Sequence, residues 1–142
     1  MGQAYLVFSS VDPPRLDVAA WDGQAQRFFA TRLELVGPAG GREARVLISP
    51  ANEPGGERVL SVRPRQDADL ALAEEAERRA GGGGLSLLAR RCQSVWVIAR
   101  DREDDRLALR LAMILASVAL GPVLDDRGPE LFGVKTARSK LG

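Results

Sequence analysis

The chain has 142 residues, 45% hydrophobic and 27% charged, with 20 Lys and Arg against 19 Asp and Glu for a formal net charge of +1. This suits one globular domain and excludes a disordered composition. There is no histidine and a single cysteine, Cys92, which excludes Ser-His-Asp and Cys-His nucleophiles, His/Cys zinc sites and any intrachain disulfide.

The near-neutral charge gives no electrostatic reason to expect nucleic acid or an anionic membrane as partner. The first residues lack the basic region of a signal peptide, and Leu6 stands where a myristoylation motif needs Ser or Thr. The longest apolar run, 107–120, is interrupted by Arg110 and is shorter than a membrane span. These features together predict a soluble, cytoplasmic protein with no cofactor.

Residues 3–10 read as a first strand, bounded by Asp12-Pro13-Pro14. Asp12 is expected to cap a short helix from 13 to about 21, with Pro13 in its first turn and Asp22-Gly23 as its stop. Residues 27–63 read as a three-stranded meander. Phe29, Thr31, Leu33 and Leu35 alternate with Arg32 and Glu34, which favours a strand, although Ala25, Phe28, Phe29, Leu33 and Val36 also fit a helical stripe. Loops at 37–41 and 50–56 separate the strand at 42–49 from the one at 57–63, which Pro64 closes.

Asp67 is expected to cap a helix over 68–80, with Glu74/Arg78 and Glu75/Arg79 as favourable i,i+4 pairs. Its packing face is read as Ala68, Leu72, Ala76 and Ala80, and Gly81 ends it. A short helix over 85–91 follows. Residues 94–100 form a continuous apolar strand, which should be central and covered on both faces.

The segment 101–120 predicts the longest helix, capped by Asp101 and buried over 102–120. It is apolar almost all round, except for a narrow stripe of Glu103, Arg106, Arg110 and Ser117 that encloses Met113. Two short strands, 123–124 and 130–134, flank the turn Asp125-Asp126-Arg127-Gly128-Pro129, and 135–142 reads as a basic tail. The order predicts one α+β domain over 1–134, a mostly antiparallel sheet with helices packed on it.

Few residues carry chemistry. Gly81-Gly82-Gly83-Gly84 follows a helix and lacks the Lys-Ser/Thr of a phosphate loop, so it reads as a connector. Asp101, Asp104, Asp105 and Asp125 could hold a divalent cation, but three of them sit where a helix N-terminus favours acids and Asp125 where a turn does. Cys92, beside Arg90 and Arg91, reads as a small apolar residue entering a core strand. Arg and Met are enriched at interfaces, so Arg106, Arg110 and Met113, with the turn Asp125, Asp126 and Arg127, form the candidate partner-binding surface.

The stretch Leu107-Ala108-Leu109-Arg110-Leu111-Ala112-Met113-Ile114-Leu115-Ala116, then Gly121-Pro122-Val123-Leu124-Asp125, Gly128 and Leu131-Phe132, resembles an element of several small bacterial α+β families. In these an Ala/Leu-rich helix feeds a strand ending in Asp and a turn ending in Gly. The resemblance covers about a fifth of the chain. Some of these families are immunity proteins, so it implies a non-catalytic protein-binding module that neutralises a toxin. A small divalent-metal-dependent hydrolase built on the Asp cluster, or a structural subunit that self-associates through the long helix, are the alternatives.

Overall fold

Alternating residues build the sheet and decide its two faces. In the computed structural model, which describes residues 3–40 and 43–142, β1 (Ala4–Ser9) and β5 (Ser94–Ala99) pair antiparallel at the centre, with Val7 opposite Trp96 and Phe8 opposite Val95. Tyr5, Val7, Trp96 and Ile98 point to one side; Ala4, Leu6, Phe8 and Val95 point to the other. Both sets are buried, as the unbroken apolar run in β5 requires.

Around this pair lie β2 (Thr31–Gly40), β3 (Glu43–Pro50), β4 (Gly56–Pro64), β6 (Val123–Asp125) and β7 (Glu130–Phe132). Together they form one sheet in the order β2-β3-β4-β5-β1-β6-β7, and the pairings of the described strands are all antiparallel. Three helices, α1 (Val18–Phe29), α4 (Arg106–Ala119) and α5 (Val134–Leu141), cover the face that carries Val46, Ile48, Leu60 and Trp96. Two more, α2 (Asp67–Arg79) and α3 (Leu85–Arg91), cover the opposite face at β1, β5 and β6. The chain is a single α+β domain. Among the described residues no helix is long and apolar enough to cross a membrane.

Several element boundaries differ from expectation. Residues 13–17 are loop, and Asp17, not Asp12, caps the first helix by accepting the Ala20 N–H at 3.1 Å. That helix does not stop at Asp22-Gly23. It continues to Phe29, because Val18, Trp21, Ala25 and Phe29 make one buried stripe; the helical reading of Ala25 and Phe29 is the right one there. Ala30, at φ 48, turns the chain into β2. Asp22 instead accepts the Leu33 N–H at 2.8 Å, which ties α1 to the edge strand.

At α2 the N-cap is Gln66, whose N–H donates to Asp69 at 2.8 Å. The buried face is Asp69, Ala73 and Ala76; Ala68 and Ala80 are exposed. Glu75 pairs with Arg79 as expected, but Glu74 pairs with Arg90 on α3. The long helix begins at Arg106 rather than 102, because Asp105 is its cap and accepts the Ala108 N–H at 3.0 Å. Residues 135–142 are not a tail: α5 buries Ala137 and Leu141 against α4.

Candidate functional site

The charged residues expected to form one surface are each held by a residue outside that set: Arg106 and Arg110 by Glu53, Asp125 by Arg100, Asp126 by the Ala4 N–H and Arg127 by Glu103. Arg58 makes a two-pronged contact with Asp105, Nε to Oδ2 at 2.8 Å and Nη2 to Oδ1 at 2.9 Å, and reaches Asp101 at 3.2 Å. Both partners of the main pair are buried. Burial alone would push the Asp105 carboxyl up; the Arg58 hydrogen bonds and the N–H groups of Ala108 and Asp101 outweigh it and hold the group below its ordinary value.

Arg100 lies 3.7 Å over the Tyr5 ring and donates to Asp125 and to the Ala4 carbonyl. Asp126 accepts the Ala4 N–H at 3.2 Å, yet its burial leaves the carboxyl above its ordinary value. Burial likewise raises the Tyr5 phenol, against the pull of Arg100. Arg127 pairs with Glu103 at 2.5 Å. Glu53 holds both Arg106 and Arg110, each at 2.6 Å, and these hydrogen bonds lower its carboxyl. Arg110 also donates to the Thr31 hydroxyl at 3.3 Å, and Arg106 to the Leu141 carbonyl at 2.7 Å.

Met113 is 2% exposed. It belongs to the core cluster and not to a solvated stripe; α4 packs against α1, α5 and the sheet. The acidic group divides as well: Asp101 and Asp105 go to Arg58, Asp125 goes to Arg100, and Asp104 is exposed. Among the described residues no group of three or more His, Cys, Asp or Glu side chains could hold a metal ion. Cys92 is fully buried, its Sγ donating to the Leu88 carbonyl at 3.3 Å, and burial raises its thiol.

The opposite end of α4 is different in kind. There the loop 11–17, the start of α1 and the end of α4 enclose a cleft of about 380 Å³, a size that suits a ligand or an inserted side chain. Its walls are Trp21, Trp96, Leu115 and Val118, with Ser9 at the base and Asp12, Arg15 and Asp17 at the rim. The two indoles meet edge to face, centroids 5.2 Å apart at 90°. Each tryptophan is 3% exposed. Both indole rings line the cleft.

No family model, no curated protein and no solved structure matches this chain. The cleft therefore rests on its own geometry.

Val11, which lines the cleft, is 42% exposed, and Leu120, the residue after the lining Ala119, is 62% exposed. Leu120 stands in the left-handed region at φ 58, where glycine is the usual helix terminator. The glycine is one residue further on for a steric reason. A Cβ on Gly121 would lie 1.9 Å from the Phe8 carbonyl oxygen, so the close approach of α4 to β1 reserves that position. Ser10 then fixes the helix end, its hydroxyl donating to the Ala119 and Leu120 carbonyls at 3.1 and 3.0 Å. The cleft escaped sequence reasoning. Its visible signals were the placement of both tryptophans of the chain at helix and strand positions that can face each other, and a helix stop in which Leu, not Gly, follows Ala119.

Proposed function

We propose that this chain is a non-catalytic intracellular binding protein that holds a protein partner at the apolar cleft, and that it neutralises a toxin in the manner of immunity proteins. The observation that carries the binding role is Leu120. A bulky side chain held in the left-handed conformation costs about 1–2 kcal/mol, and at 62% exposure it recovers little of that by burial. Local strain of this kind is concentrated where contact is made. Val11 and the cleft beside it extend the apolar surface.

The immunity-type role is supported by the C-terminal resemblance, in which α4 leads to a strand ending at Asp125 and a turn containing Gly128. The pairing of Arg58, Arg100, Arg106 and Arg110 within the molecule favours contact over turnover, since each guanidinium already has an acidic neighbour, Arg106 and Arg110 sharing Glu53.

The test is to isolate the complex formed by the tagged chain in its own cells, purify the partner and titrate it calorimetrically. Ala20→Phe, which fills the cleft from an exposed helix position, should weaken binding at least tenfold and abolish growth protection against the partner. Arg45→Ala, on the far face of the sheet, should change neither. Equal affinity for wild type and Ala20→Phe, or protection that persists in Ala20→Phe, would refute the reading.

A further inference from the structure

We infer that the loop 11–17 is a gate over the cleft, and that it swings into a second hollow behind it to open the cleft walls. The inference rests on the binding role proposed above and specifies how access to that site is controlled. Most of the apolar wall is covered as it stands: Leu115 is 1% exposed, Trp21 and Trp96 3% each, and Ala119 4%. These residues offer almost no surface to a partner until part of the wall moves.

The loop is the part with least to hold it, although both its ends are fixed. At one end the Ser10 N–H donates to the Ala119 carbonyl at 2.9 Å, and the Ser9 hydroxyl to the Val11 carbonyl at 3.1 Å. At the other, Asp17 accepts the Ala20 N–H through its side chain and the Trp21 N–H through its carbonyl, at 3.1 and 3.0 Å. Between these anchors, residues 12–16 take part in no hydrogen bond among the described residues. Pro13 and Pro14 have no N–H to give. Leu16, half-buried, is the one residue of this stretch packed against the core cluster that holds both tryptophans.

The room for movement lies beside the two prolines. A hollow of about 300 Å³ is lined by Leu16 and by Val62, Arg63, Pro64 and Ser94 at the ends of β4 and β5. It shares only Pro13 and Pro14 with the cleft, so those two residues are the partition between the two spaces. A segment with a hollow on each flank lacks packing partners on both, and one without hydrogen bonds opens at low cost in free energy. Fixed ends, an unbonded middle and a space to receive it make a hinged lid.

The gate is tested without a partner, by thiol labelling. Ala119→Cys puts a thiol into the covered wall, and native Cys92, fully buried in the cluster on the opposite face of the sheet, reports global unfolding in the same sample. Ellman's reagent should label the introduced thiol about a hundredfold faster than Cys92, because its rate follows the population of the open gate. The urea dependence should also be weaker, since opening the gate exposes less surface than unfolding the domain. Leu16→Ala, which removes the anchor, should speed this labelling about tenfold. Val62→Phe, which fills the receiving hollow and lies outside the cleft walls, should slow it about fivefold. Ser9→Cys, a near-isosteric change at the base of the same cleft, should give the same pattern.

Labelling of both thiols at one rate with one urea dependence would overturn the inference. So would labelling of the introduced thiol that either Leu16→Ala or Val62→Phe leaves unchanged. These results are separable from failure of the binding role itself, which shows as a purified partner indifferent to Ala20→Phe.

Discussion

The two ends of α4 handle exposed chemistry in opposite ways. At the N-terminal end the charged side chains are engaged with one another: Asp105 with Arg58, Asp125 with Arg100, Glu53 with Arg106 and Arg110. At the C-terminal end two tryptophan rings line an apolar cleft, and two large apolar side chains, Val11 and Leu120, remain in solvent. One helix thus carries an end that is complete within the fold and an end that is incomplete. The residues that look most reactive in the sequence hold the molecule together, and residues that look like ordinary core, Trp21, Trp96 and Leu115, line an apolar cleft.

The largest expected effect tests the first end. Asp105→Ala leaves Arg58 buried beside a partly exposed Asp101 and removes the helix cap, so stability measured by urea unfolding should fall by about 3–5 kcal/mol. Loss below about 1 kcal/mol would mean that this network is not what secures α4. Next, Gly121→Ala drives a methyl into the Phe8 carbonyl and should cost about 1–3 kcal/mol while distorting the cleft, visible as a change in tryptophan fluorescence.

Leu120→Gly sharpens the comparison through its sign. It relieves the left-handed strain and should raise stability by about 1 kcal/mol, a rise in melting temperature of about 2–4 °C. Partner affinity should fall in the same variant. A variant that is both more stable and equally tight would remove the functional reason for the strain.

The smallest effect is in pH. Asp105 is held below its ordinary value of 3.8, so the unfolded chain binds its proton first and the stability it contributes is lost as pH falls below that value. Asp126 is raised, so the folded chain binds its proton first and stability falls as pH rises from 3.8 through its shifted value. Asp126→Asn should therefore flatten the decline above pH 4 without affecting acid unfolding, as followed by thermal melts across pH.

Much of the fold was legible in the residues themselves. The alternation in 29–35, the apolar run at 94–99 and the apolar circumference of 107–120 each identify an element, because a side chain's solvent preference and its period along the chain are local properties. The α+β class follows from their order. The boundaries were less legible, since three acids, Asp101, Asp104 and Asp105, compete to cap one helix and only the position of Arg58, 47 residues away from Asp105, selects among them. The same holds for the turn after Phe29, where burial of Trp21 against Trp96 extends a helix that Asp22-Gly23 alone would end.

The sequence by itself determined the composition of the core, the excluded chemistries and the elements, because these depend on what each residue is and on its near neighbours. The site was decided only by the tertiary structure. Whether an arginine is a free contact or half of an ion pair, and whether a tryptophan is filled around or faces a cleft, depends on groups far apart in the chain. Glu53 reaches Arg110 across 57 positions and Trp21 meets Trp96 only after α1 folds onto β5. Electrostatic pairing and packing act through space, so which groups remain unsatisfied can be read only once the chain has closed on itself.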